Sequence, residues 1–191
     1  MHLADQKESL RRAITERLRQ MSPKERQAES RSVCRRVLEN LPPAPITVTA
    51  YFPLTDEVDI RPLLAEFLKR GDAVYLPCGD GRTFVFRKFE NTADLRPDGL
   101  QIPAPPPTAP LLDPASLAIA LVPGRAFDVH GNRLGRGNGG FDIWIDGQRK
   151  TNPRTRYWGV ALECQIVNVI PMEPHDKGVD AVITARGILK K

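Results

Sequence analysis

The chain has 191 residues, 41% of them hydrophobic and 27% charged, with a formal net charge of +5. That much apolar content in one chain supports a packed core and excludes a disordered segment, while no apolar run approaches the roughly 18 residues a membrane span needs. Only 6% of residues are aromatic and they do not interleave with basic ones, which argues against a nucleic-acid stacking module, yet residues 1–40 and 125–160 each carry a net +4 and so invite an anionic partner.

The first helix is expected over about Asp5 to Gln20, with Leu10, Ile14, Leu18 and Met21 as its apolar stripe. At helical spacing Lys7 projects into that stripe and Arg11 onto its edge. A cation on the core side needs a carboxylate or a ligand unless it snorkels at a frayed helix start. A second helix begins with Ser22 as N-cap, Pro23 in the first position and Glu25 closing a capping box. Ser30, Cys34, Val37 and Leu41 share one face, which makes Cys34 a packed thiol, and Pro42 and Pro43 end the helix.

Strands then begin. Ile46–Tyr51 reads as a strand, Pro62–Arg70 as a helix stopped by Gly71, and Ala73–Pro77 and Thr83–Phe89 as two more strands. Residues 90–116 hold seven of the eighteen prolines and read as a long irregular segment, of the kind that often carries function. Leu117–Val122 is continuously apolar, as in a parallel strand buried on both faces. Tyr157–Glu163 and Val179–Ala185 complete the strands, and their alternation with helices predicts an α/β layered sheet. A single domain spanning 1–191 is expected. The N-terminus reads as a polar amphipathic helix rather than a signal peptide, and Cys34, Cys78 and Cys164 are odd in number and widely spaced, so a cytoplasmic protein with reduced thiols is expected.

Residues 121–142, LVPGRAFDVHGNRLGRGNGGFD, carry the chemistry. Glycines at 131, 135, 137, 139 and 140 surround Arg133 and Arg136, with Asp128 and Asp142 at the borders. Backbone free of side chains lets N–H groups converge on an anion, arginines add charge, and a nearby carboxylate can hold Mg²⁺. The pattern lacks the Gly-Lys-Ser/Thr of a Walker A loop and the Gly-x-Gly-x-x-Gly of a dinucleotide fingerprint. Phosphate handling is the expectation, and a flexible surface loop is the bland alternative.

With this run placed after a central strand, the chain resembles the 5-formyltetrahydrofolate cyclo-ligase (methenyltetrahydrofolate synthetase) family over nearly its whole length. The resemblance starts at Lys7-Glu-Ser-Leu-Arg11 and passes through Tyr51-Phe-Pro, Glu57-Val-Asp59 and Gly99-Leu-Gln-Ile-Pro. It is densest at Val122-Pro-Gly-x-x-Phe127-Asp128 and Gly131-Asn-Arg-Leu-Gly-x-Gly-x-Gly139, followed by Asp142. It ends with Gln165, Pro171, His175-Asp176, Val179-Asp180 and Thr184.

The resemblance implies a three-layer α/β/α domain with a mainly parallel sheet and the N-terminal helices packed on it. It also implies a monomeric enzyme that uses ATP and Mg²⁺ to convert 5-formyltetrahydrofolate, a reduced formyl-folate, to 5,10-methenyltetrahydrofolate, ADP and phosphate. Lys7, Arg11, Arg133, Gly135, Arg136, Gly137, Asn138 and Gly139 would contact ATP. Asp142 would attend the Mg²⁺, with Arg136 and Asp142 as the catalytic pair. Tyr51, Glu57 and Leu100 would line the folate site, Glu57 accepting from the donor edge of the pterin. His175 and Asp176 read as turn structure, and Asp142 has an alternative reading as a helix N-cap.

The chain departs from the family at Phe141, where many members have tyrosine, at Asn138, where some have lysine, at Gly140, and at Leu100, where some have an aromatic. A non-catalytic paralogue that binds nucleotide or folate, and an RNA-binding module on the basic first helix, are the competing readings. Retention of Lys7, Arg11, Glu57, Arg136 and Asp142 favours the enzyme.

Overall fold

Ile119 and Leu121 point to one side of their strand, Ala120 and Val122 to the other, and all four are buried. A strand buried on both faces requires a layer on each. The computed structural model supplies both; it describes residues 2–79 and 83–190, with Met1, residues 80–82 and Lys191 outside the described residues. Seven strands build the central sheet: β1 (Thr47–Thr49), β2 (Ala73–Gly79), β3 (Phe84–Phe89), β4 (Leu117–Val122), β5 (Arg156–Val160), β6 (Ala181–Ile183) and β7 (Ile188–Lys190). Their order is β7-β6-β5-β4-β1-β2-β3. The inner five run parallel, and β3 and β7 close the two edges antiparallel.

Helices α1 (Leu3–Gln20), α2 (Pro23–Asn40) and α3 (Arg61–Lys69) cover one face. Their Ile14, Leu18, Val33, Val37, Leu63 and Phe67 join Ile119, Leu121, Val160 and Ile183 in one core. Helix α4 (Gly140–Thr151) covers the other face, where Ile145 packs with Ala120, Val122, Tyr157 and Val182. The expected three-layer α/β/α arrangement is therefore present, with the N-terminal helices on the sheet.

Most local expectations hold, with shifted ends. The capping box of α2 forms: Ser22 Oγ accepts from Glu25 N–H at 3.2 Å, and Glu25 Oε2 accepts from Ser22 N–H at 2.9 Å. Cys34 is buried, and burial pushes its thiol up to about 11, so it stays protonated and packed. The strand expected over 46–51 keeps only Thr47–Thr49, because Tyr51 leaves the sheet and its hydroxyl donates to Val58 O. The strand expected over 157–163 ends at Val160 and passes into a short turn at 163–165. Helix α4 begins before the helix that an Asp142 cap would open and forms despite Gly140 and Gly147, which carry little helix propensity; buried Ile145 packs it on the sheet, and Gln148 ties it to Pro114 O and Thr155 Oγ1. Residues 90–116 are mostly irregular, with two 3₁₀ turns and a two-residue ribbon pairing 96–97 with 103–104. No helix among the described residues is long and apolar enough to cross a membrane.

The sheet order places the site. From β1 the chain moves to β2 on one side, while β4 lies on the other, so the strand order reverses at β1. In open parallel sheets a crevice forms outside the carboxyl ends of the strands at such a point. The segments following β1 and β4, Tyr51–Glu57 and Pro123–Arg125, leave the sheet there, and the glycine loop is carried over them by a small sheet of Ala126–Asp128, Arg133–Leu134 and Ile166–Val167.

Candidate active site

Two chambers open at this crevice and share one wall. The first is a partly open cleft with a largely apolar lining. Tyr51, Phe52, Pro77, Phe84, Leu100 and Phe141 supply its apolar surface, and Glu57, Arg136 and Asn138 its polar groups. The second has a more polar lining and is set between α1 and the glycine loop, with Lys7, Arg11, Gly137, Glu173 and Asp176 on its surface. Arg133, Gly135, Gly139 and Asp142 line both.

The glycines have specific duties in this wall. Gly137 has φ +105° and sits against the Arg11 guanidinium, and Gly139 has φ +71° and forms the N-cap of α4. Both backbone angles favour glycine. Gly139 and Asp142, at the start of α4, line both chambers, and a helix N-terminus favours an anion. Asp128, one of the two bordering acids, takes no part: it is fully buried and accepts from His130 N–H, Asn132 N–H, Asn132 Nδ2 and Ile170 N–H, which fixes the turn beneath the loop.

Asp142 is not the cap of α4, because that position belongs to Gly139. Its Oδ1 accepts from Arg133 Nη2 at 2.8 Å and from Lys177 N–H at 3.0 Å. Among the described residues no hydrogen bond falls on its Oδ2. Arg133 is 4% exposed, its Nε lacks a hydrogen-bond partner, and its guanidinium lies 5.7 Å from the Phe141 ring centroid. A buried donor left unpaired at the wall between two chambers is costly unless a ligand takes it up.

Lys7 is buried as its helical phase implied, and its partners are carboxylates: Nζ lies 2.7 Å from Glu173 Oε2 and 2.5 Å from Asp176 Oδ2. Asp176 also accepts from Glu173 N–H, so the expected turn role is real but incomplete. Arg11 donates to Gly135 O at 3.0 Å, anchoring the loop to α1. Burial acts to lower Lys7, but the hydrogen bonds and charges of Asp176 and Glu173 outweigh it and hold the ammonium above its usual range. Burial acts to raise Asp176, but Lys7 outweighs it and holds the carboxyl below the usual 3.8.

These directions fix a pH dependence. A depressed carboxyl stabilises the fold above its unfolded pKa and loses that contribution as pH falls through the folded value, so stability should decline below about pH 4. The raised Lys7 stabilises below its unfolded 10.5 and loses that contribution only as pH rises above it. Thermal melts from neutral pH into acid should show the decline, and Lys7→Met should flatten it. An equal acid slope in wild type and variant would exclude the triad as its source.

On the first chamber's side, Glu57 is 8% exposed, and its Oε2 accepts from Leu54 N–H at 3.0 Å. Its Oε1 receives Arg136, through Nη2 at 2.9 Å and Nε at 3.3 Å. Arg136 Nη2 also reaches Asp56 Oδ1 at 2.6 Å, and Arg125 holds the other oxygen of Asp56. Tyr51 is buried beside Glu57, and Leu100 is half exposed at the mouth. The residues expected on ATP thus divide: Lys7, Arg11, Arg133, Gly135, Gly137 and Gly139 meet at the second chamber, whereas Arg136 and Asn138 face the first. The sequence reading overlooked Asp56, Arg125 and Glu173. Asp56 stands next to Glu57 with no spacing to distinguish it, and only an inward Lys7 in search of a carboxylate hinted at Glu173.

Comparison with known proteins gives the family and the fold. The model of the 5-formyltetrahydrofolate cyclo-ligase family matches residues 4–185. The 5-formyltetrahydrofolate cyclo-ligase of Mycolicibacterium smegmatis is 31% identical over 191 residues, covering 96% of each chain, and that of Escherichia coli K12 is 28% identical over 177 residues, covering 90% of this chain and 96% of the other. The solved structure of Aquifex aeolicus 5,10-methenyltetrahydrofolate synthetase superposes with a TM-score of 0.79 at 28% identity, covering 96% of this chain and 92% of that one.

Proposed function

This chain belongs to the 5-formyltetrahydrofolate cyclo-ligase family, and from that premise we propose that its two chambers hold a reduced formyl-folate and ATP on either side of the Arg133–Asp142 wall. The activity is that of a cyclo-ligase, forming 5,10-methenyltetrahydrofolate. The observation that supports the two-substrate reading is the shared wall: an apolar chamber with one buried carboxylate meets, at the start of a helix, a polar chamber where Lys7, Arg11 and Arg133 face Asp142, Glu173 and Asp176.

In this reading the pterin enters the first chamber, its donor edge toward Glu57 and its ring against the touching pair Phe84 and Phe141. The triphosphate lies over Lys7, Arg11 and the glycine loop. A formamide oxygen is a poor leaving group. Transfer of the γ-phosphoryl group from ATP to that oxygen releases ADP; the neighbouring folate amine then attacks the activated carbon, loses its proton and closes the ring as phosphate departs. The chain's task is to align the two reactants across the wall, exclude water and neutralise charge. Arg133, unpaired at Nε, would meet the transferring group, and Asn138 would stand beside it.

Mg²⁺ fits the donor set. It prefers oxygen ligands and commonly binds one or two carboxylates plus substrate phosphates. Asp142 has an oxygen free of described partners. It would hold the ion together with the substrate phosphates, and the ion would supply charge neutralisation on the β- and γ-phosphates. Residues 1–191 would act as one catalytic domain, a monomer, in the cytoplasm.

The test follows methenyltetrahydrofolate absorbance with 5-formyltetrahydrofolate, ATP and Mg²⁺, omitting each in turn. Product should form only with all three present. ATP binding without product at any Mg²⁺ concentration would favour a non-catalytic paralogue. In the same assay Glu57→Gln should raise the folate KM by about tenfold or more, as one charged hydrogen bond weakens, and leave the ATP KM within about twofold.

A further inference from the structure

Arg136 is placed where a phosphate ligand is not expected to be: both its partners are carboxylates on the folate side. Its Nη2 and Nε close on Glu57 Oε1, the oxygen the pterin would need, and Nη2 also holds Asp56 Oδ1. Glu57 is nearly buried, and two Arg136 N–H groups fill the acceptor sites of Oε1, so a ligand donor gains that oxygen by displacing the guanidinium. Asp56 is differently placed. It is partly exposed, lies outside the chamber lining, and is fixed from behind by Arg125. The residues either side of Arg136, Gly135 and Gly137, line the second chamber, and Gly137 sits at φ +105°. The Arg136 backbone thus stands on the wall, with its side chain drawn to one side by two acids.

We infer that Arg136 is an exchangeable counter-ion linking the two substrate sites, with Asp56 as its positioning residue; the inference rests on the folate and ATP placement proposed above. In the free enzyme Arg136 closes on Glu57. A pterin edge at Glu57 releases it, and Asp56 keeps the freed guanidinium at the chamber junction, where the phosphates of ATP can take it. Folate then removes a competitor for the cation, and ATP removes a competitor for the carboxylate. Each substrate must tighten the other by the same factor, because coupling free energy is reciprocal.

Calorimetry with 5-formyltetrahydrofolate and a non-hydrolysable ATP analogue, each titrated with and without the other, measures that factor. Wild type should show reciprocal tightening of about tenfold, within the usual range of such couplings. Arg136→Ala should bind folate alone more tightly than wild type while its turnover falls, a split that no purely structural role produces. Asp56→Asn should reduce the coupling to within about twofold and lower kcat with little change in folate affinity, and Asp56→Glu should restore part of both. A wild-type coupling factor of one, in an enzyme that turns over, would overturn the exchange while leaving the proposed function intact. Weaker folate binding in Arg136→Ala would overturn it as well. Absence of turnover in wild type would instead count against the cyclo-ligase reading itself.

Discussion

Asp142→Asn should lower kcat by on the order of 10²–10³-fold, the range for losing one preorganised charged group, and shift the Mg²⁺ titration to higher concentration. The amide retains an oxygen, so it can still accept from Arg133 Nη2 and Lys177 N–H; only the charge is lost. That loss falls on two partners. Mg²⁺ prefers an anionic oxygen, and the Arg133 guanidinium, 4% exposed, has Asp142 as its carboxylate partner among the described residues. A hydrogen bond to a charged group contributes about 1.5–3 kcal/mol, so the melting temperature should fall by several degrees. Kinetics and melting separate the two roles. Turnover well below the melting transition that recovers partly at high Mg²⁺ assigns Asp142 to the metal. A melting shift with an unchanged Mg²⁺ titration and near-normal turnover would leave Asp142 as the counter-ion of Arg133 alone.

Much of this arrangement was legible in the sequence because it rests on local patterning. The continuous apolar run of β4, the capping box of α2 and the inward phase of Lys7 each follow from spacing along one element, and each is present. The glycine run with its arginines stands out in the sequence for the same reason. What escaped depends on contacts between distant segments. Lys7 meets Glu173 and Asp176 across more than 160 residues, and Arg136 meets Asp56 and Glu57 across about eighty. No periodicity reports such a meeting. Helix α4 shows in the sequence only through the alternative reading of Asp142 as a cap: its glycines weaken the propensity signal, and its stability comes from Ile145 packed on the sheet and Gln148 bound to Pro114 O. The division of the residues expected on ATP, with Arg136 turned to the first chamber, is likewise a tertiary outcome, since an arginine between two glycines reads the same whichever way it points.

Lys7→Ala carries the other large effect, and here the structure reverses an expectation. Read as a lone cation beside an apolar stripe, Lys7 would be removable at little cost in stability. Paired with Asp176 at 2.5 Å and nearly buried, it is not, because its removal leaves a carboxylate without its counter-charge. Breaking a buried pair costs about 3 kcal/mol or more, so the variant should melt well below wild type. Its kcat/KM for ATP should also fall by about 10²-fold, if the ammonium contacts phosphate as Arg11 and the glycine loop beside it are proposed to do. A single variant cannot divide these effects, but a double variant can. In Lys7→Met with Asp176→Asn the unpaired charge is gone, so stability should recover most of what Lys7→Met alone loses. If Lys7 serves only to fix the Glu173–Asp176 turn, ATP use should recover with it. If Lys7 binds phosphate, the melting temperature should return while kcat/KM for ATP stays low, since no restored turn replaces an absent ammonium.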